Sequence, residues 1–334
     1  MRKSLIFCVF ILFGPVAGYH PASADCTGTD LLAEMAEPDR TALLDRAAQA
    51  PYPEGLFWTA KKDDQVITLV GTFHLNDPRL APIVQKLTPL IQSARTIMVE
   101  AGPEQERDLR AAFKTRPELL ILPDTSLPQL LSETDWQALS KAMQSRGMPA
   151  AMAAKFQPWY ISALLGLPDC LDLATLQKNG LDAQIIRIAQ SAGVPIAPLE
   201  PFDTVFRLFE SISRAEQIEM VLASLAADAR ADDFFTTMTA LYFAGKLRVI
   251  WELYQTLQMG TGGESDQAIE SAARLETLLI TGRNESWILP LETAAARGPV
   301  LAAFGALHLP GDRGVVNLLA QRGWQVAALP LLSP

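Results

Sequence analysis

Two four-residue frames constrain this chain more than any other feature: Gly71-Thr72-Phe73-His74 and Gly305-Ala306-Leu307-His308. Each sets glycine three residues ahead of histidine, and each follows an apolar run, residues 65–70 and 300–304. Short apolar runs bounded by turn residues read as buried strands. Each histidine is therefore expected to project from the carboxyl end of a strand, where α/β proteins gather ligand-binding groups. Gly71 and Gly305 let the backbone turn, or approach a ligand, without a Cβ in the way. The chain has three histidines in all. The third, His20, falls in a leader expected to be removed, which leaves one histidine near each end in matching settings. Imidazole is suited both to proton transfer near neutral pH and to metal ligation.

The leader is read from Arg2 and Lys3, the nine-residue apolar run 5–13, and Ala22-Ser23-Ala24 as a small-x-small cleavage pattern. The expected boundaries are a signal peptide at 1–24, an N-terminal helical segment at 25–54 and a main domain at 55–332. A retained anchor is the alternative. No later run is long enough to span a bilayer, so a secreted or periplasmic chain with no stable membrane span after cleavage is expected. The net charge of −9 becomes −11 without Arg2 and Lys3 (−9 − 2), and no basic cluster remains, which argues against nucleic acid as a partner. Hydrophobic residues make up 49% of the chain, enough for a large core. Of three cysteines, Cys8 lies in the leader. In an oxidising compartment Cys26 and Cys170 are expected to form one disulfide, two separate thiols being the alternative. Neither has a cysteine or histidine near it, so a cysteine-based zinc site is not expected.

Along the chain, helical spacing is read over 29–50, 82–94, 104–113, 127–143, 181–192, most of 204–244, 268–289 and 314–321. Residues 156–165 are apolar and aromatic. Strands are read at 55–60, 65–70, 96–99, 195–199, 300–304 and 326–330, with Lys61-Lys62-Asp63-Asp64 as a hairpin turn and 259–264 as a glycine-rich loop. The expected class is a mixed α/β fold with strands at both ends of the chain and a large helical middle. Two related halves are suggested, each with one Gly-x-x-His frame and one strand-terminal glutamate. The Phe and Met residues of 205–254 read as core.

Glu100 directly follows Ile97-Met98-Val99, and Glu200 follows Pro195-Ile196-Ala197-Pro198-Leu199, so each sits at a strand end. Two histidines and a carboxylate can hold a divalent ion with a position open for water. Without an ion, the same groups can serve as general base and orienting carboxylate. Asn76, Asp77 and Arg79 add polar groups to the loop beyond His74. Ser162 and Ser286 lack a nucleophile-elbow frame, and Gly260–Gly263 lacks the lysine and strand of a phosphate loop.

The stretch from Val70-Gly71-Thr72-Phe73-His74 through Leu75-Asn76-Asp77-Pro78-Arg79 resembles the opening motif of the TraB/GumN family. Phe304-Gly305-Ala306-Leu307-His308-Leu309-Pro310-Gly311 resembles its closing motif, continued by Gly314 and Gly323-Trp324-Gln325-Val326. Glu100, Gly180-Leu181-Asp182, Leu199-Glu200 and Arg283-Asn284-Glu285-Ser286-Trp287 match its internal landmarks in order, over nearly all of the mature chain. After Glu200, Pro201-Phe202-Asp203 departs from the family pattern. The family is similar to the Tiki proteins, metal-dependent proteases of the secretory pathway, and more distantly to erythromycin esterases and haem-binding ChaN-like proteins. The resemblance implies a ChaN/erythromycin-esterase-like fold with the site between two related halves. It makes His74, Glu100 and His308 the essential metal ligands or catalytic groups, around Mn, Co or Zn. It gives Arg283 the task of holding a carboxylate, either of the substrate or of Glu100. The expected activity is a metal-dependent hydrolase acting on a peptide or other small substrate. The alternatives are a metal-free esterase-like hydrolase, or a protein that sequesters a peptide or haem without catalysis.

Overall fold

The strongest local instruction in the chain is the first hairpin. β1 (Phe57–Lys62) and β2 (Gln65–Thr72) pair antiparallel out to Lys62 opposite Gln65, so only Asp63 and Asp64 turn. Asp63 adopts φ 53°, a left-handed conformation that aspartate tolerates better than most residues. The turn is thus tighter than the four residues expected, because both lysines continue the ladder. The computed structural model describes residues 26–171, 179–260 and 276–330. The leader 1–24, residues 261–264 of the expected glycine loop, 268–275 of an expected helix, and Leu331 and Leu332 lie outside them. Met259 and Gly260 close a helix instead of opening the loop.

The remaining strands are β3 (Thr96–Val99), β4 (Ile196–Pro198), β5 (Val300–Gly305) and β6 (Gln325–Ala328). Among the described residues they form one six-stranded sheet in the order β4-β3-β5-β2-β1-β6. β4, β3, β5 and β2 are mutually parallel, while β1 is antiparallel to both β2 and β6. β5, from the end of the chain, lies between β2 and β3. Its residues are all apolar and buried as far as Phe304, as a central parallel strand covered on both faces requires.

Helices make up most of the remaining described residues. α1 (Leu31–Glu34) and α2 (Glu37–Gln49) replace the single helix expected over 29–50. Met35 and Ala36 are extended, and Pro38, which cannot donate to a preceding carbonyl, starts a new helix instead of continuing the old one. α3 (Leu80–Ser93), α4 (Pro103–Thr115), α5 (Leu127–Leu130), α6 (Glu133–Ser145), α7 (Ala150–Ala153) and α8 (Pro158–Leu165) follow. The helix expected over 127–143 is likewise divided: Leu131 is extended, and the Ser132 hydroxyl caps α6 by accepting from the Asp135 amide. Next come α9 (Leu181–Ala192), α10 (Thr204–Glu210), α11 (Arg214–Ala227), α12 (Ala231–Phe243), α13 (Leu247–Gly260), α14 (Gly282–Ala295) and α15 (Val315–Gln321). A π-helical turn, Thr277–Thr281, leads into α14.

Two apolar cores result. One joins the sheet to α2, α3, α9, α13, α14 and α15, with Trp287 and Phe304 at its centre. The other lies in the helical middle, where Trp159 stacks on Phe209 at 4.7 Å. The fold class is as expected: mixed α/β with a helical middle. The halves, however, share a single sheet through the insertion of β5.

Cys26 and Cys170, 144 positions apart in the sequence, form a disulfide with Cα atoms 5.6 Å apart. It fastens the start of the described chain beside α12, where the Gly28 amide donates to Thr236 Oγ1 and the Thr29 amide to Asp233 Oδ1. Cross-linking so long a loop restricts the unfolded chain. Replacing both cysteines with serine should lower the unfolding free energy by about 2–4 kcal/mol in a urea titration. No helix among the described residues is long and apolar enough to cross a membrane.

Candidate functional site

The carboxyl ends of the parallel strands β2, β3, β4 and β5 lie at one end of the sheet, and His74, Glu100, Glu200 and His308 follow them closely. In the ladder Gly71 lies opposite Phe304, and Thr72 opposite Gly305. The two frames therefore run side by side, offset by one residue. Each glycine makes room for the other frame. A Cβ on Gly71 would fall 2.6 Å from Leu309 Cδ1 and 3.0 Å from Ala306. A Cβ on Gly305 would meet His74 Nε2 at 3.2 Å, Glu100 Oε1 at 3.4 Å and His308 Cδ2 at 3.6 Å. The structure thus brings His74, Glu100 and His308 around a single point over Gly305, a hollow too narrow for a methyl group unless a neighbour shifts.

His74 leaves the end of β2 on a segment held from two sides. Phe73 stacks on Tyr242 at 4.9 Å, and the Tyr242 hydroxyl donates to the Gly71 carbonyl at 3.0 Å. The Leu181 amide, at the start of α9, donates to the Phe73 carbonyl at 2.8 Å. Gly180 permits this approach, since a Cβ there would lie 2.2 Å from the His74 carbonyl oxygen. Docked in this way, the first turn of α9 places Asp182 Oδ1 2.9 Å from His74 Nδ1. Asp77 and Arg79 do not join the hollow: they bind each other, and the Arg79 guanidinium lies 4.0 Å over the Phe243 ring.

Glu100, buried at the end of β3, accepts from the Gly305 amide at 2.6 Å and from Arg283 Nη2 at 2.6 Å. Arg283, in the first turn of α14, is buried and committed on every side. Its Nε and Nη2 engage Glu200, and its Nη1 donates to the Leu279 carbonyl and lies 3.4 Å from His308 Nε2. Of the two expected uses of Arg283, the geometry gives the grip on Glu100. Glu200, also held by Trp287 Nε1 at 3.0 Å, is the anchor that keeps Arg283 in place. His308 is buried at the end of a short 3-10 turn, its ring 4.5 Å from that of Trp287 and its Nδ1 2.6 Å from Asn284 Oδ1.

These surroundings pull the two histidines apart. Burial by itself favours neutral His74, but the Asp182 carboxylate outweighs it and carries the pKa up to about 9, with Glu100 assisting and Arg283 opposing. Burial pushes His308 down to about 3; Glu100 resists, while Arg283 and His74 add to the shift. Burial alone would raise Glu100, but Arg283, the two histidines and the Gly305 amide hold it at about 2. Burial raises Glu200, with Arg283 offsetting part of the effect. His74, raised above its unfolded value of 6.5, stabilises the fold fully below pH 6.5 and loses that contribution as pH climbs through about 9. His308 and Glu100, both lowered, contribute above their unfolded values of 6.5 and 4.5 and lose this as pH falls toward about 3 and about 2. Stability measured in a chelating buffer should therefore peak near pH 6.5. In His74→Gln the alkaline decline should flatten; in His308→Gln the acid decline should.

Asp182, Asn284, Trp287 and Glu200 carry the site as much as the three expected groups do. Asp182, Asn284 and Trp287 stood in the sequence only as landmarks without roles. Their signal was position: Asp182 and Asn284 stand in the first turn of helices that begin beside the strand ends, and Trp287 one turn further along. The donor types around Gly305, two imidazoles and a carboxylate, suit a divalent ion. Among the described residues, however, no three His, Cys, Asp or Glu side chains close into a ready coordination shell.

A sequence model of the TraB/PrgY/gumN family matches residues 56–328. The chain belongs to this family. The match begins at the hairpin and ends on β6, so all six strands and every residue of the site fall within it. Among TraB/PrgY/gumN relatives, the uncharacterized protein YbaP of Escherichia coli (strain K12) is 22% identical over 254 residues, covering 75% of this chain and 86% of its own length. The protein of the same name from Shigella flexneri matches to the same extent. An uncharacterized protein of Treponema pallidum (strain Nichols) is 20% identical over 190 residues, 57% of each chain. No solved structure matches.

Proposed function

We propose that this TraB/PrgY/gumN protein is a metal-dependent hydrolase of the peptidase type, working outside the cytoplasm, with its reacting centre in the hollow over Gly305. One observation carries the reading. Both imidazoles are fastened through Nδ1 to an oxygen acceptor, Asp182 for His74 and Asn284 for His308, and both rings border the hollow that also receives Glu100. Histidines that ligate metals are commonly oriented in this way by an outer acceptor. His74, His308 and Glu100 would hold the ion once Arg283 Nη1, which faces His308 Nε2 at 3.4 Å, gives way to it, and a bound Mn, Co or Zn would polarise a carbonyl and make a water more acidic. Glu100, ionised and hydrogen-bonded by the Gly305 amide and Arg283, would orient a water. Arg283 keeps its carboxylate charged. His74, a quarter exposed, marks the side from which a substrate enters. The Cys26–Cys170 disulfide supports an oxidising location.

The full chain, stripped with chelator and dialysed against each ion, should retain one Mn, Co or Zn per chain by elemental analysis. His74→Ala and His308→Ala should retain none. Failure of the wild type to take up any of the three ions would overturn the metal reading. The opposed pKa values support a second reading, in which charged His74 is the acid and neutral His308 the base of a metal-free, esterase-like hydrolase. Hydrolysis that persists in chelator and is lost in His74→Ala would select it.

A further inference from the structure

We infer that Asn284 is a positioning residue that fixes His308 in one tautomer, protonated at Nδ1, so that Nε2 is the lone-pair edge of the ring. The assignment rests on the hydrogen-bonding capacity of each neighbour. The Asn284 side chain is fully buried in the first turn of α14. Its Nδ2 donates to the Arg313 carbonyl at 2.8 Å and to the His308 carbonyl at 3.3 Å. Both of those partners can only accept, so the amide cannot be turned over: a flip would set its oxygen against two carbonyl oxygens. Oδ1 must therefore face His308 Nδ1, at 2.6 Å. A carboxamide oxygen only accepts, so Nδ1 must carry the hydrogen.

The other ring nitrogen agrees, through a contact too long to fix the tautomer without Asn284. Arg283 Nη1 lies 3.4 Å from His308 Nε2, and a guanidinium nitrogen can only donate. A hydrogen on Nε2 would point at those of Nη1. The ring is also kept from turning by Trp287 at 4.5 Å and Phe304 at 6.2 Å. His74 provides the contrast: its Nδ1 partner, Asp182, is a carboxylate on a different helix. The two frames thus hold chemically unlike histidines in like positions, and the difference lies in the residue behind each ring.

This deepens the reading of the site and rests on it only for His308 being a working group. The test does not depend on any reaction. The full chain carries three histidines, so labelling histidine alone with 15N gives three ring patterns in a long-range proton–nitrogen correlation spectrum, and His308→Gln identifies the one that belongs to His308. At pH 7 in chelating buffer the His308 ring should show a protonated Nδ1 and an unprotonated Nε2. Asn284→Asp, which keeps an acceptor at this position, should keep that pattern; Asn284→Ala should lose it. An Nε2-protonated His308 in the wild type, which needs no variant to fold, would overturn the inference, as would an unchanged pattern in folded Asn284→Ala. A wild type that binds no ion yet shows the Nδ1-protonated ring would end the metal reading and support this one.

Discussion

Arg283→Met should lower the unfolding free energy by about 3–5 kcal/mol, the usual cost of leaving buried charges without their partner. Two carboxylates lose their counter-ion at once. Glu100 and Glu200 are each 8% exposed, and Arg283 Nη2 lies 2.6 Å from both. Methionine fills similar volume, so the loss reflects charge more than a cavity. The signature is coupling: Glu200→Gln in the Arg283→Met background should recover part of the stability, because it removes one of the stranded charges. The variant should also recover as pH falls and the glutamates take up protons. Urea unfolding at pH 7 and pH 5 measures both effects. A loss below about 1 kcal/mol at pH 7 would mean that Arg283 is not the electrostatic keystone its contacts imply.

The second large effect is on turnover. Glu100→Gln retains an acceptor for the Gly305 amide and leaves Arg283 its three hydrogen bonds to Glu200, so the fold should survive with an unchanged circular dichroism spectrum. It removes the negative charge from the hollow and the carboxylate that touches both the Gly305 amide and Arg283. Loss of a positioned proton acceptor typically costs 10²–10⁴-fold, so cleavage of a mixed peptide library, followed by mass spectrometry, should fall on the order of 10³-fold. Wild-type turnover in Glu100→Gln would remove Glu100 from the reacting centre.

Much of this site could be read before the fold. His74, Glu100 and His308 were recognisable because strand-terminal polar residues after apolar runs are rare enough to notice. The disulfide followed from cysteine arithmetic. What could not be read was how the pieces meet. No local pattern says that 300–305 pairs with 67–72 on one side and 96–99 on the other, since parallel pairing across more than 200 residues leaves no periodic trace. For the same reason the reciprocal clearance at Gly71 and Gly305 is a property of the pair, visible in neither frame alone. Asp182 and Asn284 were obscured for a different reason: a polar residue in the first turn of a helix ordinarily serves the helix itself. The breaks at Met35 and Leu131 were missed because apolar spacing runs straight through them, while backbone capping decides where a helix restarts.

The place of β5 in the sheet has a consequence in time. A ribosome releases β1, β2, β3 and β4 long before it reaches residue 300. Until then the sheet is two fragments, β4-β3 and the β1-β2 hairpin, each with a bare edge where the missing strand belongs. Bare edges invite wrong partners. The nascent chain therefore lacks His308 and the amide that holds Glu100 until the segment carrying β5 has joined the sheet.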